Sequence, residues 1–340
     1  MPEPVTQQAE RVLSLWQGSW IAAFGVGILV WGLIIWSVIF HRKRSDRLPP
    51  QVRYNMPIEV LYTVVPFVII AVLFYFTARD QDYLLETDEQ PDVVVNVTAF
   101  QWSWRFDYYD AAAIQAAGDV DLLARPEAFG DIAELPEEPH GEPTAEQEAA
   151  HEAAVAAAEE SAELAESLPE PVATTVGEPG EAARPDLYLP EGQVVRFNLY
   201  SPDVIHSFWI PAFLFKLDVI PGQINTFQVI PTTPGTYEGR CAELCGVDHS
   251  QMLFQAHVVE GDAFPAQLAE VAAANPDAPP PGADDENEIR SGGPAEEPEP
   301  QGGTPGGTET PGTPEGEPSS EPSQGGAASP ETEPTEGSAQ

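Results

Sequence analysis

The sequence predicts a two-helix transmembrane hairpin followed by an all-β domain, with an acidic, partly helical insertion inside that domain and a disordered tail behind it. Three observations carry the expectation: two long uncharged apolar stretches near the start, a series of short β-rich runs separated by Pro and Gly turns, and two polar segments that hold most of the charge. The predicted boundaries are an outer N-terminal segment at 1–18, the hairpin at 19–79, the β domain at 80–110 and 185–265, the insertion at 111–184 and the tail at 266–340.

Residues 1–18 are polar and lack the apolar core and small-residue cleavage site of a secretory signal. Either a signal was removed upstream of Met1 or the first span inserts without one. Trp20 to Phe40 runs 21 residues without a charge. At a rise of about 1.5 Å per residue, such a helix crosses the roughly 30 Å hydrocarbon core. His41-Arg42-Lys43-Arg44 follows directly, with Arg47 and Arg53 behind it. Val60 to Ala78 is a second uncharged stretch of 19 residues, bounded by Glu59 and Arg79. Its Pro66 is better tolerated in a lipid-embedded helix than in a soluble one. The basic cluster lies in the short loop between the spans, and such loops stay cytoplasmic. Both termini and everything beyond residue 80 are therefore expected on the outer face of a multi-pass membrane protein.

Fourteen basic residues against 55 acidic ones give a formal net charge of -41. Residues 110–185 hold 19 acids against Arg125 and Arg184, and residues 275–340 hold 15 acids against Arg290. Such a surface excludes nucleic acid, whose phosphates demand Lys and Arg. It suits a basic protein partner drawn in at long range, although solubility alone accounts for much of the charge. The insertion is rich in Ala, Glu and Pro, with a helix-prone core from Ala145 to Ser167. It carries too few aromatic and branched residues to bury much apolar surface, so it reads as exposed. From about Asn275 onward Pro, Gly, Glu, Ser and Thr follow without periodicity, which predicts disorder.

The β domain begins with Asp92 to Val97 and continues through Phe100-Gln101-Trp102-Ser103-Trp104-Arg105-Phe106. Further runs recur at Gln193–Tyr200, Val204–Ile210, Gln223–Ile230 and Gln251–Val259, punctuated by Pro221-Gly222 and Pro234-Gly235. This spacing predicts a sandwich or barrel rather than βαβ units.

Chemistry concentrates in Cys241-Ala242-Glu243-Leu244-Cys245, followed by His249 and Met252, with His206 35 residues before Cys241 at the start of a β-run. Two thiolates, two imidazoles and a thioether form a soft donor set, and softness selects copper. Zinc takes Cys and His but has little use for Met. A mononuclear blue-copper site uses two His, one Cys and a weak Met; the extra thiolate here allows both sulfurs to bridge two coppers, each capped by one imidazole. Taken alone, an outward-facing Cys pair reads as a disulfide, and His249 or Met252 alone as an ordinary surface or core residue. Their joint spacing with His206 turns the reading to copper.

With Ser201-Pro202-Asp203-Val204-Ile205-His206-Ser207-Phe208-Trp209-Ile210-Pro211 and Lys216-Leu217-Asp218-Val219-Ile220-Pro221-Gly222, the Cys segment resembles subunit II of cytochrome c oxidases. The resemblance covers the hairpin, residues 92–109 and residues 186–260, but neither the insertion nor the tail. Nitrous oxide reductase shares the copper motif on a propeller that this chain has neither the length nor the repeats to build. The resemblance implies a cupredoxin-like, Greek-key domain holding the binuclear copper centre CuA. Cys241 and Cys245 would bridge the coppers, and His206 and His249 would bind one each. Met252 would be a weak axial ligand to one copper, and the Glu243 carbonyl would serve the other. The Glu243 carboxylate would also reach a magnesium ion at the border with subunit I.

By the same resemblance, Trp102 in Gln101-Trp102-Ser103-Trp104 is where electrons arrive from cytochrome c, while Trp104 belongs either to that aromatic patch or to the core. Glu59 stands near the mouth of a proton path into the catalytic subunit; its plainer reading is a dipole partner at a helix start, although ionisable groups at membrane depth are functional suspects. The implied setting is a bacterial cell membrane, with haem and oxygen reduction in subunit I, further oxidase subunits, and a donor that is cytochrome c or a c-type haem subunit of a bc complex. The latter donor goes with actinobacterial enzymes, in which a similar insertion occurs; residues 111–184 would then be a docking surface, or else a solvated spacer. Two rivals stand against this reading. A membrane-tethered copper carrier for assembly should have exposed, exchangeable ligands, whereas these sit between β-runs. A quinol-oxidase subunit comes from a family that shares the fold but lacks the copper ligands, all five of which are present here.

Overall fold

The two apolar stretches fold as helices α1 (Gln7–Phe40) and α2 (Met56–Leu84), both long and apolar enough to cross a membrane, in a computed structural model that describes residues 1–44, 52–136, 144–178, 184–276 and 278. Their apolar side chains are largely uncovered by the rest of the chain, as helices meant for lipid or for partner helices would be. Arg47 of the basic loop lies outside the described residues. The Thr6 side chain caps α1 by accepting from Ala9 N. Each helix extends beyond its apolar stretch toward the β domain. The first turn of α1 is seated on that domain: Val5, Thr6 and Ala9 are buried, Val5 N donates to Ala212 O, and Thr232 N donates to Val5 O. Residues 7–18, expected only as a polar outer segment, therefore continue the membrane helix, because their first turn finds apolar cover in the domain.

Ten strands follow: β1 (Val93–Phe100), β2 (Ser103–Asp110), β3 (Ala173–Val176), β4 (Asp186–Pro190), β5 (Val195–Tyr200), β6 (His206–Ile210), β7 (Phe215–Val219), β8 (Asn225–Val229), β9 (Gly235–Cys241) and β10 (Leu253–Val259). They form two five-stranded sheets, ordered β3-β2-β1-β5-β8 and β4-β10-β9-β6-β7. Most neighbours are antiparallel, while β1 with β5 and β4 with β10 are parallel. The alternation of strand side chains sends Val95, Val97, Trp104, Phe106, Phe197 and Leu199 of one sheet inward against Leu187, Phe208, Phe254 and Ala256 of the other. This is the all-β domain that the sequence predicts.

The outer face of the first sheet is not bare, and here the expectation of an exposed insertion needs correction. Helix α3 (Ala111–Ala117) and a short 3-10 turn bring Ile114 and Leu123 onto Val94 and Tyr109. Phe129 stacks on Tyr200 at 4.9 Å. Asn198 Nδ2 donates to Leu123 O at 3.1 Å, and Arg196 pairs with Asp121. The predicted helix is present as α4 (Ala145–Ser167), closed by a capping box between Thr144 and Gln147. The end of the insertion is β3, an edge strand of the sheet itself. A few isolated apolar residues suffice because the sheet supplies the opposing surface.

Beyond the last strand, α5 (Phe264–Ala274) buries Phe264, Leu268 and Val271 along one stripe. Ordered structure thus runs past the predicted start of the tail at 266, while residues 279–340 lie outside the described residues. Gly239 in β9 lies against the Phe254 ring, so that a Cβ there runs into the ring. Gly239→Ala is expected to destabilise the chain by about 1–3 kcal/mol through overpacking, seen as a lower thermal unfolding midpoint of the full-length protein.

Candidate metal centre

Backbone pairing brings the ligand residues together from two places in the sequence. His206 opens β6 and Cys241 closes β9, where Cys241 lies opposite Phe208 of β6. Past Cys241 the chain leaves the sheet as a loop carrying Glu243 and Cys245. It then forms a 3-10 turn at His249–Gln251 and re-enters the sheet after Met252. The loop is pinned at its base: Cys241 N donates to Met252 O at 3.0 Å and Ala242 N to Ser207 O at 2.9 Å.

The side chains converge. Cys241 Sγ and Cys245 Sγ are 3.8 Å apart, and both cysteines are free and buried. His206 Nδ1 stands 3.9 Å from Cys241 Sγ, and His249 Nδ1 stands 3.5 Å from Cys245 Sγ. Met252 Sδ is 3.8 Å from Cys245 Sγ, and the Glu243 carbonyl oxygen is 3.1 Å from Cys241 Sγ. The donor atoms of His206, Cys241 and Cys245 all lie within 4.8 Å of one another. Metal–thiolate bonds of about 2.3 Å span such sulfur separations through a common ion. The donor set is thus soft, buried and gathered, which fits copper. All five predicted side-chain donors are in the cluster. Glu243 contributes its carbonyl, while its side chain is exposed. Glu59 stands apart: it is half-buried in the first turn of α2, where its Oε1 accepts from Asn55 N at 2.8 Å.

Two neighbouring residues escape a reading of the sequence. Asp203 Oδ1 lies 2.9 Å from His206 Nε2 and accepts from Val204 N at 2.6 Å, while Asp203 Oδ2 accepts from Gln101 N at 2.7 Å. Engaging Nε2 in this way leaves Nδ1 facing the sulfurs, the usual means of orienting a ligating imidazole. Gln101 Nε2 in turn donates to Cys245 O at 2.6 Å. Their only signal in the sequence is position: Asp203 three residues before His206, and Gln101 beside Trp102. Trp102 is half-buried, and its Nε1 donates to the same Cys245 carbonyl at 3.0 Å. Trp104 is core, fully buried, with its ring packed edge-on against Phe208 and Phe254. Around the buried ligands the rim is apolar: Leu244 and Val247 are 79% and 84% exposed.

In the metal-free cluster the Cys241 thiol is pulled well below its ordinary pKa, chiefly by a hydrogen bond from Cys245. Cys245 is pushed up, since its proton stabilises the Cys241 thiolate. Burial opposes the charge on Asp203, but hydrogen bonds from His206, Val204 N and Gln101 N outweigh it and lower the pKa. Burial likewise opposes protonation of His206, yet Asp203 and Cys241 raise its pKa above 6.5. The His206–Asp203 pair therefore stabilises the metal-free fold between these two values. The contribution is lost as pH rises through that of His206 or falls through that of Asp203. A bound metal requires the shared thiol proton to leave and His206 Nδ1 to be free of one.

A soft-ligand pocket at one end of a two-sheet β-sandwich, preceded by two helices long and apolar enough to cross a membrane, marks a β-domain protein whose gathered side chains could hold a soft metal. Comparison with known proteins makes this specific. Residues 182–260 match the family model described as cytochrome C oxidase subunit II, periplasmic domain, a span that includes all of the cluster's donors. The chain is 48% identical over 277 residues to the probable cytochrome c oxidase subunit 2 of Streptomyces avermitilis, covering 80% of this chain and 78% of that one. It is 39% identical to cytochrome c oxidase subunit 2 of Mycobacterium tuberculosis, covering 78% and 73% of the two chains. Among solved structures, the periplasmic domain of subunit II of cytochrome oxidase from Bradyrhizobium japonicum aligns with 21% identity and a TM-score of 0.32, covering 55% of this chain and 97% of that one. The chain belongs to the cytochrome c oxidase subunit II family. Asp203→Asn, which weakens the hold on His206, is expected to lower copper affinity by about 10–100-fold, as measured by competition against a copper chelator in the full-length protein.

Proposed function

We propose that this chain is the electron-accepting subunit of its oxidase, holding a binuclear CuA centre that takes electrons from cytochrome c, or from a c-type haem subunit of a bc complex, and passes them to haem in subunit I for oxygen reduction coupled to proton pumping. The observation that carries the reading is the convergence of two buried free thiols, a buried and a half-buried imidazole and a buried thioether in one pocket. Bound there, copper supplies one-electron exchange shared between two nuclei. Cys241 and Cys245 would bridge, His206 and His249 would each hold one nucleus, and Met252 and the Glu243 carbonyl would serve as weak outer ligands. The sheet and a loop pinned to it at Cys241 and Met252 would keep these donors in place whichever oxidation state the copper has.

Trp102 offers a half-buried ring whose N–H reaches the backbone of a ligand residue, so it is suited to receive electrons at the surface. Leu244 and Val247 give the same region an apolar contact area, and α4 and its surroundings add negative charge for a basic donor. The exposed Glu243 carboxylate is free to share magnesium with subunit I. Glu59 sits at the loop end of α2, which the positive Arg42-Lys43-Arg44 cluster assigns to the cytoplasm, where a proton path would open. The β domain then lies on the outer face of a bacterial cell membrane. The copper-carrier alternative is disfavoured by burial: His206 is 0% exposed, and Cys241, Cys245 and Met252 are buried with it.

The deciding measurement is copper stoichiometry with electron paramagnetic resonance on the full-length chain in detergent after anaerobic loading. A pair of coppers with a spectrum shared between both nuclei is expected, and Cys245→Ser should collapse it to a mononuclear signal. A wild-type chain that holds one copper with a mononuclear spectrum would overturn the reading in favour of a carrier.

A further inference from the structure

The Cys245 carbonyl accepts two N–H donors, Trp102 Nε1 at 3.0 Å and Gln101 Nε2 at 2.6 Å. Gln101 also donates its backbone N–H to Asp203 Oδ2 at 2.7 Å, and Asp203 Oδ1 lies 2.9 Å from His206 Nε2. Gln101 thereby ties into both ligand-bearing segments: through its side chain to the Cys245 loop, and through its backbone and Asp203 to the start of β6. It also precedes Trp102 in the turn between β1 and β2. The approach depends on Gly246, where an added Cβ would lie 2.8 Å from Trp102 Nε1 and 3.1 Å from Gln101 Nε2. Gly246 also has φ +126°, a backbone conformation that side chains disfavour.

We infer that Gln101 is a positioning residue for electron transfer, whose side-chain amide holds the Cys245 carbonyl where the Trp102 indole can donate to it. The inference rests on the proposed role of Trp102 and the copper pair. The Trp102 ring hangs on a turn outside the sheet register, and its indole N–H is held by a loop carbonyl. Without the second donor, that loop is free to rotate its carbonyl away and break the short bonded route from ring to thiolate. Gln101 need touch neither the metal nor the electron donor to have this effect.

The test uses the assembled, copper-loaded oxidase. Gln101→Leu removes the donor at similar size. The expected result is a roughly tenfold slower electron transfer from reduced donor, with the half-saturating donor concentration, the copper content per chain and the two-nucleus resonance spectrum unchanged. Gln101→Lys, which keeps an N–H donor, should restore most of the rate. The inference is overturned by a rate within about twofold of wild type, by a change in half-saturating concentration alone (a docking contact), or by copper loss in proportion to rate (a structural residue). Failure of the underlying reading shows separately with Gln101 intact: the wild-type oxidase would lack the copper pair, or Trp102→Ala would leave the rate unchanged.

Discussion

Cys241 lies opposite Phe208 at the point where β9 runs out, and the next residue still donates its N–H to Ser207 on β6. This lateral pairing of β9 with β6 is the constraint on which the rest of the site depends. It sets a thiol at the end of one strand beside an imidazole at the start of another, though the two are 35 residues apart. It also fixes both ends of the loop, since Cys241 N bonds Met252 O where the chain re-enters as β10. Below it, Trp104, Phe208 and Phe254 fill the space with edge-to-face and stacked rings. Close packing of such rings resists movement, so the ligands inherit the rigidity of the core.

Around this fixed point, polarity is distributed with a purpose that can be traced bond by bond. On the interior side the titratable groups are paired: Asp203 with His206, and Cys241 with Cys245. An unpaired charge at such depth would be costly. A metal held there would require both thiols deprotonated and His206 Nδ1 free of a proton. The exterior side is the reverse. Leu244 and Val247 present apolar side chains to solvent from the same loop whose cysteines point inward. Apolar groups exposed beside the pocket favour contact with another protein.

What the sequence made legible were patterns that repeat or whose chemistry is narrow. Nineteen or more residues without a charge admit little besides a membrane helix, and soft ligands at strand-end spacing admit little besides copper. What it hid were residues whose role depends on a surface supplied elsewhere. Leu123 and Phe129 look isolated in an acidic stretch, yet each packs on the outer face of the first sheet. β3 is Ala-Thr-Thr-Val, too short to show alternation, and becomes a strand by pairing with β2. In α5 the Phe264, Leu268 and Val271 stripe is diluted by Ala and runs directly into the polar tail. Trp102 and Trp104, two apart, should share a face if both were in a strand. The turn at Gln101 and Trp102 breaks that register, sending Trp104 into the core and leaving Trp102 at its edge. Gln101 and Asp203 reach the site through side chains whose partners, the Cys245 carbonyl and the His206 ring, come from distant or folded segments that no residue pattern records.

The attachment of the domain to its helices bears on the same geometry. A β domain joined to the membrane only through the end of α2 would be free to sway about one linker. Here the start of α1 is seated as well, with Val5, Thr6 and Ala9 buried against the turns that bear Ala212 and Pro231. The two helix ends are clasped by Asp80, a buried carboxylate that accepts from Arg79 at 2.7 Å and from Arg11 at 3.4 Å. Arg11 also lies over the Tyr83 ring at 4.2 Å. Removing either arginine would leave Asp80 short of a partner where water cannot fully replace it, so the clasp holds the start of α1 against the end of α2. The proposed electron transfer, over a fixed distance, requires a pocket that is rigid in itself and also held still relative to the membrane. The seated start of α1 and the Arg11–Asp80–Arg79 cluster supply that second condition from a part of the chain that shares no residue with the site.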